Sequence, residues 1–161
     1  MQLATNIEQQ LARWGHCLLL DCHSFPDEPF AFEDDQGLPR PDICLGICRN
    51  TPRWLLDACM ELFLQRGDSV GTDFPYSGCL VPQRFQGNPH VPAMMIEVNR
   101  RLYLKPAARE AYRLGNTPIK LGSFDSLKVD IWSVVLSLVQ VIACRTGGRA
   151  GGSFRESGLL H

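Results

Sequence analysis

Apolar positions recur along this chain in two rhythms, one helical and one extended. Between residues 4 and 14, Ile7, Leu11 and Trp14 fall at helical spacing, and Gly15 closes that helix before an apolar strand from His16 to Cys22. A long loop rich in Pro, Asp and Glu then runs to Pro41, and Asp42 to Leu45 forms a short strand. Thr51 and Pro52 suit the N-cap and first position of a helix whose stripe is Trp54, Leu55, Cys59, Leu62 and Phe63, ending at Gly67. Residues 68 to 74 read as a strand, the Pro and Gly punctuation from Pro75 to Pro92 as a loop, and Ala93 to Val98 as a third convincing strand. Helices follow near 106 to 114 and 124 to 144. Strands alternating with helices predict an α/β fold, a mostly parallel sheet with helices on its faces. No repeat or linker divides it, so residues 1–145 form one domain. The segment 146–161, rich in Gly, Ser and Arg and without apolar periodicity, is expected to be a flexible tail.

Composition narrows the class. A chain of 161 residues, 45% apolar and 20% charged, suits one globular domain with a core. A net charge of -1 gives no electrostatic footprint for nucleic acid or an anionic membrane. The longest apolar run, Ile131 to Cys144, is broken by serines and a glutamine and falls short of the ~20 residues that span a bilayer. It predicts a buried helix, and no membrane partner is expected. Seven cysteines without a basic, apolar leader point to reduced thiols and a cytoplasmic protein. Cys44 and Cys48 lack a second Cys or His pair to complete a structural zinc site.

Two stretches carry the candidate chemistry. In LLLDCHSFP, residues 18 to 26, an apolar run delivers Asp21, His23 and Ser24; in AMMIEVNRRLYL, residues 93 to 104, another delivers Glu97, Asn99 and Arg100. Open α/β sheets bind ligands beyond the carboxyl ends of their strands, so a His and a Glu from two strand ends face one cleft. A neutral imidazole held at a strand end suits zinc, with Asp21 to orient the ring. A carboxylate at the end of an apolar strand is desolvated and suited to taking a proton from water. Each also has a plain structural reading, His23 as a hydrogen-bonded loop residue and Glu97 as the ion partner of Arg100 or Arg101. Ser24 has no GxSxG elbow, and Cys22 cannot pair with its immediate neighbour His23. His16, His90 and His161 lack ligand spacing.

The blocks DCHSFP, PDICLG at 41 to 46, FPYSGCLVP at 74 to 82 and IEVNRRLYL at 96 to 104 occur in the order seen in one family. Over roughly residues 5 to 115 the chain resembles the N-formylglutamate amidohydrolases, relatives of the zinc carboxypeptidases. The resemblance implies a zinc-carboxypeptidase-like three-layer sandwich and a zinc ion, with His23 as a metal ligand and Glu97 as the catalytic general base. Arg100 is then expected to bind a substrate carboxylate, with Asn99 and Tyr76 supplying hydrogen bonds near the developing oxyanion. The partner is a small N-acyl amino acid such as N-formylglutamate.

The family's other ligands, a His and a Glu, belong to an amino-terminal segment of about a hundred residues ahead of Leu11. Nothing here resembles it, so the expectation is an amino-terminally incomplete domain with an unpaired strand edge and a tendency to self-association. Two other readings stand beside the hydrolase. One is a catalytically inactive scaffold or binding module; the other is a carboxypeptidase-like peptide hydrolase.

Overall fold

The computed structural model describes residues 2–105 and 119–145. The helix expected near 106 to 114 and the expected flexible tail 146–161 lie outside the described residues. Among those described, the order is helix α1 (Gln2–Trp14), strand β1 (Leu19–Phe25), β2 (Ile43–Gly46), α2 (Arg53–Gln65), β3 (Val70–Thr72), β4 (Ala93–Asn99) and α3 (Phe124–Arg145). Gly15, at φ +73°, closes α1 by donating its N–H to the Leu11 carbonyl at 2.8 Å.

The strands form one sheet in the order β1-β4-β2-β3. β1 runs parallel to β4 and β2 parallel to β3, but β2 and β4 are antiparallel. Two of the three pairings are parallel, in keeping with the mostly parallel sheet expected, and the antiparallel β2–β4 pair makes the sheet mixed. The connections explain it. A parallel neighbour needs a crossover long enough to return the chain, and only β2–α2–β3 has a helix for that purpose. The segments after β1 and after β3 are loops without a long helix, and the strand that follows each runs in the opposite direction.

The sheet carries different cores on its two faces. Met94 and Ile96 of β4 join Ile43 and Leu45 of β2, Leu55, Cys59 and Phe63 of α2, and Val134 and Leu138 of α3. On the opposite face Ala93 packs with Ile7 of α1 and with Val81, Phe85 and Val91 of the loop before β4. That second cluster covers only the beginning of β1 and β4. The rest of the face is available to the polar residues.

Three local expectations change. β1 is shifted towards the carboxyl end relative to His16 to Cys22, because its ladder with β4 runs from Leu19↔Ala93 to Phe25↔Asn99. Helix α2 begins at Arg53 with Pro52 as its N-cap, since the Thr51 hydroxyl is committed elsewhere, accepting from Cys48 N–H at 2.9 Å and donating to the Ala93 carbonyl at 2.6 Å. Helix α3 spans 22 residues and is, by length and composition, long and apolar enough to cross a membrane. Only Val134, Leu138 and Ile142 are buried, so the expected buried helix is buried along one stripe. Arg66 of α2 holds Asp130 of α3 at 3.0 Å.

Candidate functional site

Side chains alternate across a strand, so β1 sends Asp21, His23 and Phe25 to the face opposite α2 and α3, and β4 sends Met95, Glu97 and Asn99 there too. The register then makes a row. His23 lies beside Glu97 across the parallel pair, and Cys44 lies beside Glu97 across the antiparallel pair. The sequence placed His23 just beyond its strand and Glu97 near the end of its own. Both stand within strands, brought together by register rather than by converging loops.

His23 Nε2 donates to Asp21 Oδ1 at 2.7 Å, while Asp21 Oδ2 accepts the Leu80 N–H at 2.9 Å. The carboxylate is thereby fixed and orients the ring, with Nδ1 as the nitrogen not bound to it. Half of the His23 side chain is exposed.

Glu97 is 7% exposed, and its Oε2 has no hydrogen-bond partner. Burial pushes its carboxyl above the usual carboxylate range; His23 and Arg100 pull back against that shift, and Asp21 adds to it. A buried polar oxygen left without a partner costs about 1–3 kcal/mol. Nothing in the packing of β4 compensates for it, which sets Glu97 apart from Asn99 two residues on. Asn99 Nδ2 donates to Asp27 Oδ1 and the Pro41 carbonyl at 3.0 Å each, and its Oδ1 accepts the Arg101 N–H.

The residues expected to bind substrate are tied to the scaffold. Arg100 donates through Nε to Ser24 Oγ at 3.2 Å and through Nη2 to the Ser24 carbonyl at 3.1 Å, gripping the end of β1. The Tyr76 hydroxyl donates to Glu33, and its ring lies edge-on to Phe25. Glu33 in turn accepts from Arg40, a buried guanidinium that also holds Asp35 at 2.7 Å. The 26–42 loop, read from sequence only as polar, is thus locked over the site face. The signal was there: acidic residues 33 to 35 precede a single arginine, Arg40, before the next strand.

The loop carrying Tyr76 comes close at glycines. A Cβ on Gly46 would sit 2.2 Å from the Gly78 carbonyl oxygen, and Gly78 itself has φ +87°. Both positions demand glycine, one for approach and the other for its backbone.

Among the described residues no group of three His, Cys, Asp or Glu side chains is placed to hold a metal. Catalytic zinc uses three protein ligands and an open position. His23 fits as one ligand and the unpaired Glu97 carboxylate fits as a base, but these residues alone do not make a zinc centre.

The sequence profile of the N-formylglutamate amidohydrolase family matches residues 1–104. The crystal structure of N-formylglutamate amidohydrolase from Ralstonia eutropha JMP134 superposes with a TM-score of 0.65 at 22% identity, covering 91% of this chain and 51% of that one. The chain therefore spans about half the length of that protein, and the likeness is one of fold. No curated protein matches the chain. With more than half of its length under the family profile, the chain belongs to the N-formylglutamate amidohydrolase family.

Proposed function

We propose that the His23–Glu97 face serves the hydrolysis of an N-acyl amino acid, N-formylglutamate being the first candidate, on a zinc-carboxypeptidase-like scaffold. The observation that carries this is the Glu97 carboxylate, buried on the site face, unpaired at Oε2 and next in register to His23. A carboxyl held above its usual range is a better proton acceptor at neutral pH than a surface glutamate. In the reaction, a water oxygen attacks the amide carbonyl carbon while Glu97 takes the water's proton. Glu97 then returns that proton to the amine nitrogen as the C–N bond breaks, giving a carboxylate and the free amino acid. Zinc enters this reading only as an ion to which His23 Nδ1 supplies one ligand. Arg100 is half-buried and grips Ser24, and the donors it does not spend there suit a substrate carboxylate.

A second reading, a catalytically silent scaffold, is favoured by the ligand count on the described residues. The two separate in one assay. The full chain, with zinc supplied, is incubated with N-formyl-L-glutamate and release of free glutamate is measured beside Glu97→Gln and beside bound zinc in His23→Ala. Glutamate release that falls by about 10²-fold or more in Glu97→Gln supports the hydrolase. No release from the wild type, with no zinc retained, leaves the scaffold reading.

A further inference from the structure

Two thiols meet where the loop carrying Tyr76 passes the end of β2. Cys79 hydrogen-bonds to the Cys48 thiol, and both pack, half-buried, against the cluster of Ile7, Val81, Phe85 and Val91. The backbone brings the two segments together at two points. Asp73 Oδ1 accepts the Ile47 N–H at 2.9 Å and the Gly78 N–H at 3.4 Å, so one carboxylate oxygen holds the residue before each cysteine. Gly46 and the Gly78 carbonyl approach so closely that no Cβ fits between them. Other thiols are spent on carbonyls: Cys44 donates to that of Tyr76 at 3.1 Å, Cys17 to that of Leu18 at 3.9 Å and Cys22 to that of Leu20 at 4.0 Å. The residue after Cys79 reaches the site. Leu80 N–H holds Asp21 Oδ2 at 2.9 Å, and Asp21 orients His23.

We propose that Cys48 and Cys79 are a redox pair, closing to a disulfide under hydrogen peroxide and opening under a thiol reductant, and that the closed form fixes Leu80 on Asp21. Burial pushes the Cys79 thiol up to about 12, with the Cys48 sulfur and Asp21 adding to the shift. Cys79 therefore keeps its proton at neutral pH, and the first attack on peroxide falls to Cys48. Cys48 Sγ attacks one peroxide oxygen as the O–O bond breaks, giving a sulfenic acid and water. Cys79 Sγ then attacks the Cys48 sulfur. The S–S bond forms, the S–O bond breaks, and the departing hydroxide takes the Cys79 proton as a second water. Both sulfurs are oxidised and one peroxide is reduced. A dithiol reverses the step by exchange, becoming a disulfide itself as Cys48 and Cys79 regain their protons.

The link changes how the site is held. Open, the Leu80 segment is tied to the rest of the fold by hydrogen bonds that local opening can break one at a time. Closed, a covalent bond joins it to the turn after β2 and restricts that opening, so Asp21 keeps its backbone donor and His23 its orientation. The consequence for catalysis rests on the hydrolase reading; the link rests on the thiols alone.

The test uses the full chain with its two exposed thiols removed, Cys22→Ser and Cys144→Ser, treated with hydrogen peroxide at pH 7. Peptide mapping without reductant is expected to find Cys48 joined to Cys79, with the intact mass lower by two hydrogens and restored by dithiothreitol. Adding Cys79→Ser is expected to abolish the link and leave Cys48 as a sulfenic acid that dimedone captures, with an unchanged circular dichroism spectrum. Hydrogen–deuterium exchange at the Leu80 amide is expected to slow when the link forms. A chain whose Cys48 is sulfenylated without linking to Cys79, thiols that both survive excess peroxide, or a link that uses Cys17 or Cys44 instead, overturns the pairing. A Cys48–Cys79 link with Leu80 exchange unchanged overturns its hold on the site. No readout involves hydrolysis, so a chain that links but fails to cleave N-formylglutamate refutes the reaction and leaves the redox pair standing.

Discussion

The two faces of β4 are buried almost equally and for opposite reasons. Met94 and Ile96 point into aliphatic and aromatic side chains of β2, α2 and α3, where burial itself is the stabilising term. Glu97 and Asn99 point the other way, at 7% and 0% exposure. Asn99 answers its burial with three hydrogen bonds, whereas Glu97 leaves Oε2 without one. The difference teaches where to look for function. A strand that buries a carboxylate oxygen without a partner has kept it at a cost in stability, and a group kept on those terms is a candidate for chemistry.

Mutation should separate the faces by sign. Ile96→Ala, on the apolar face at 1% exposure, is expected to lower the unfolding free energy by about 2–5 kcal/mol, seen as a lower urea midpoint with the slope unchanged. Glu97→Gln, one residue away, is expected to raise stability at pH 7, by about 1–2 kcal/mol, because it removes a charge that burial disfavours. The sign follows from the direction of the shift. A carboxyl held above its unfolded value contributes stability below that value, about pH 4.3, and loses it as pH rises through the folded one. The advantage of Glu97→Gln should therefore narrow as the pH falls towards 4. A glutamine variant less stable than wild type at pH 7 would show that Glu97 has a structural partner, and the contrast between the faces would fail.

Much of the apolar face was legible in the sequence. The helical spacing of Leu55, Cys59 and Phe63 marks the stripe of α2 that is buried, and the Met94–Ile96 run marks the central strand. The polar face was legible in its residues but not in its geometry. His23 and Glu97 stood out because each ends an apolar run, yet their adjacency depends on the register of two strands about 70 residues apart, which no local pattern encodes. The one antiparallel pair, β2 with β4, was missed for a similar reason: helix and strand signals do not say which loops reverse the chain. The Arg40 lock escaped because a loop with acidic residues reads as solvated until one arginine is found buried among them.

The loop that covers the polar face should respond to pH in the opposite sense to Glu97. Burial tends to raise the Asp42 carboxyl, but the Ser69 hydroxyl, the Ser69 N–H and Arg101 outweigh that and hold it below the usual range. A depressed carboxyl contributes stability above its unfolded value, near pH 3.9, and loses it as pH falls through the folded one. Wild-type stability is thus expected to decline below about pH 4, and Ser69→Ala, which removes one donor to Asp42, should flatten that decline. Urea midpoints at pH 7, 4.5 and 3 check it; an acid arm equally steep in the variant would assign the decline to other carboxylates, Glu33 and Asp35 among them.

The smallest effect is expected at Tyr76, and it tests what kind of cover the polar face has. Its hydroxyl donates to Glu33, and that carboxylate also accepts from Arg40 and from the Phe30 N–H. Removing the hydroxyl leaves Glu33 with its other donors, so Tyr76→Phe should cost only about 0.5–1 kcal/mol. The ring remains edge-on to Phe25 and in place beneath Arg40, whose guanidinium lies 5.7 Å from its centroid. The loss should appear locally, as faster proteolysis within residues 26–42, before it appears in global unfolding, because the bond joins that loop to the neighbouring one rather than to the sheet. Faster nicking with a nearly unchanged midpoint would make Tyr76 a clasp on the cover of the site. An unchanged proteolysis rate, together with a raised KM for N-formylglutamate, would move it from the cover to the substrate.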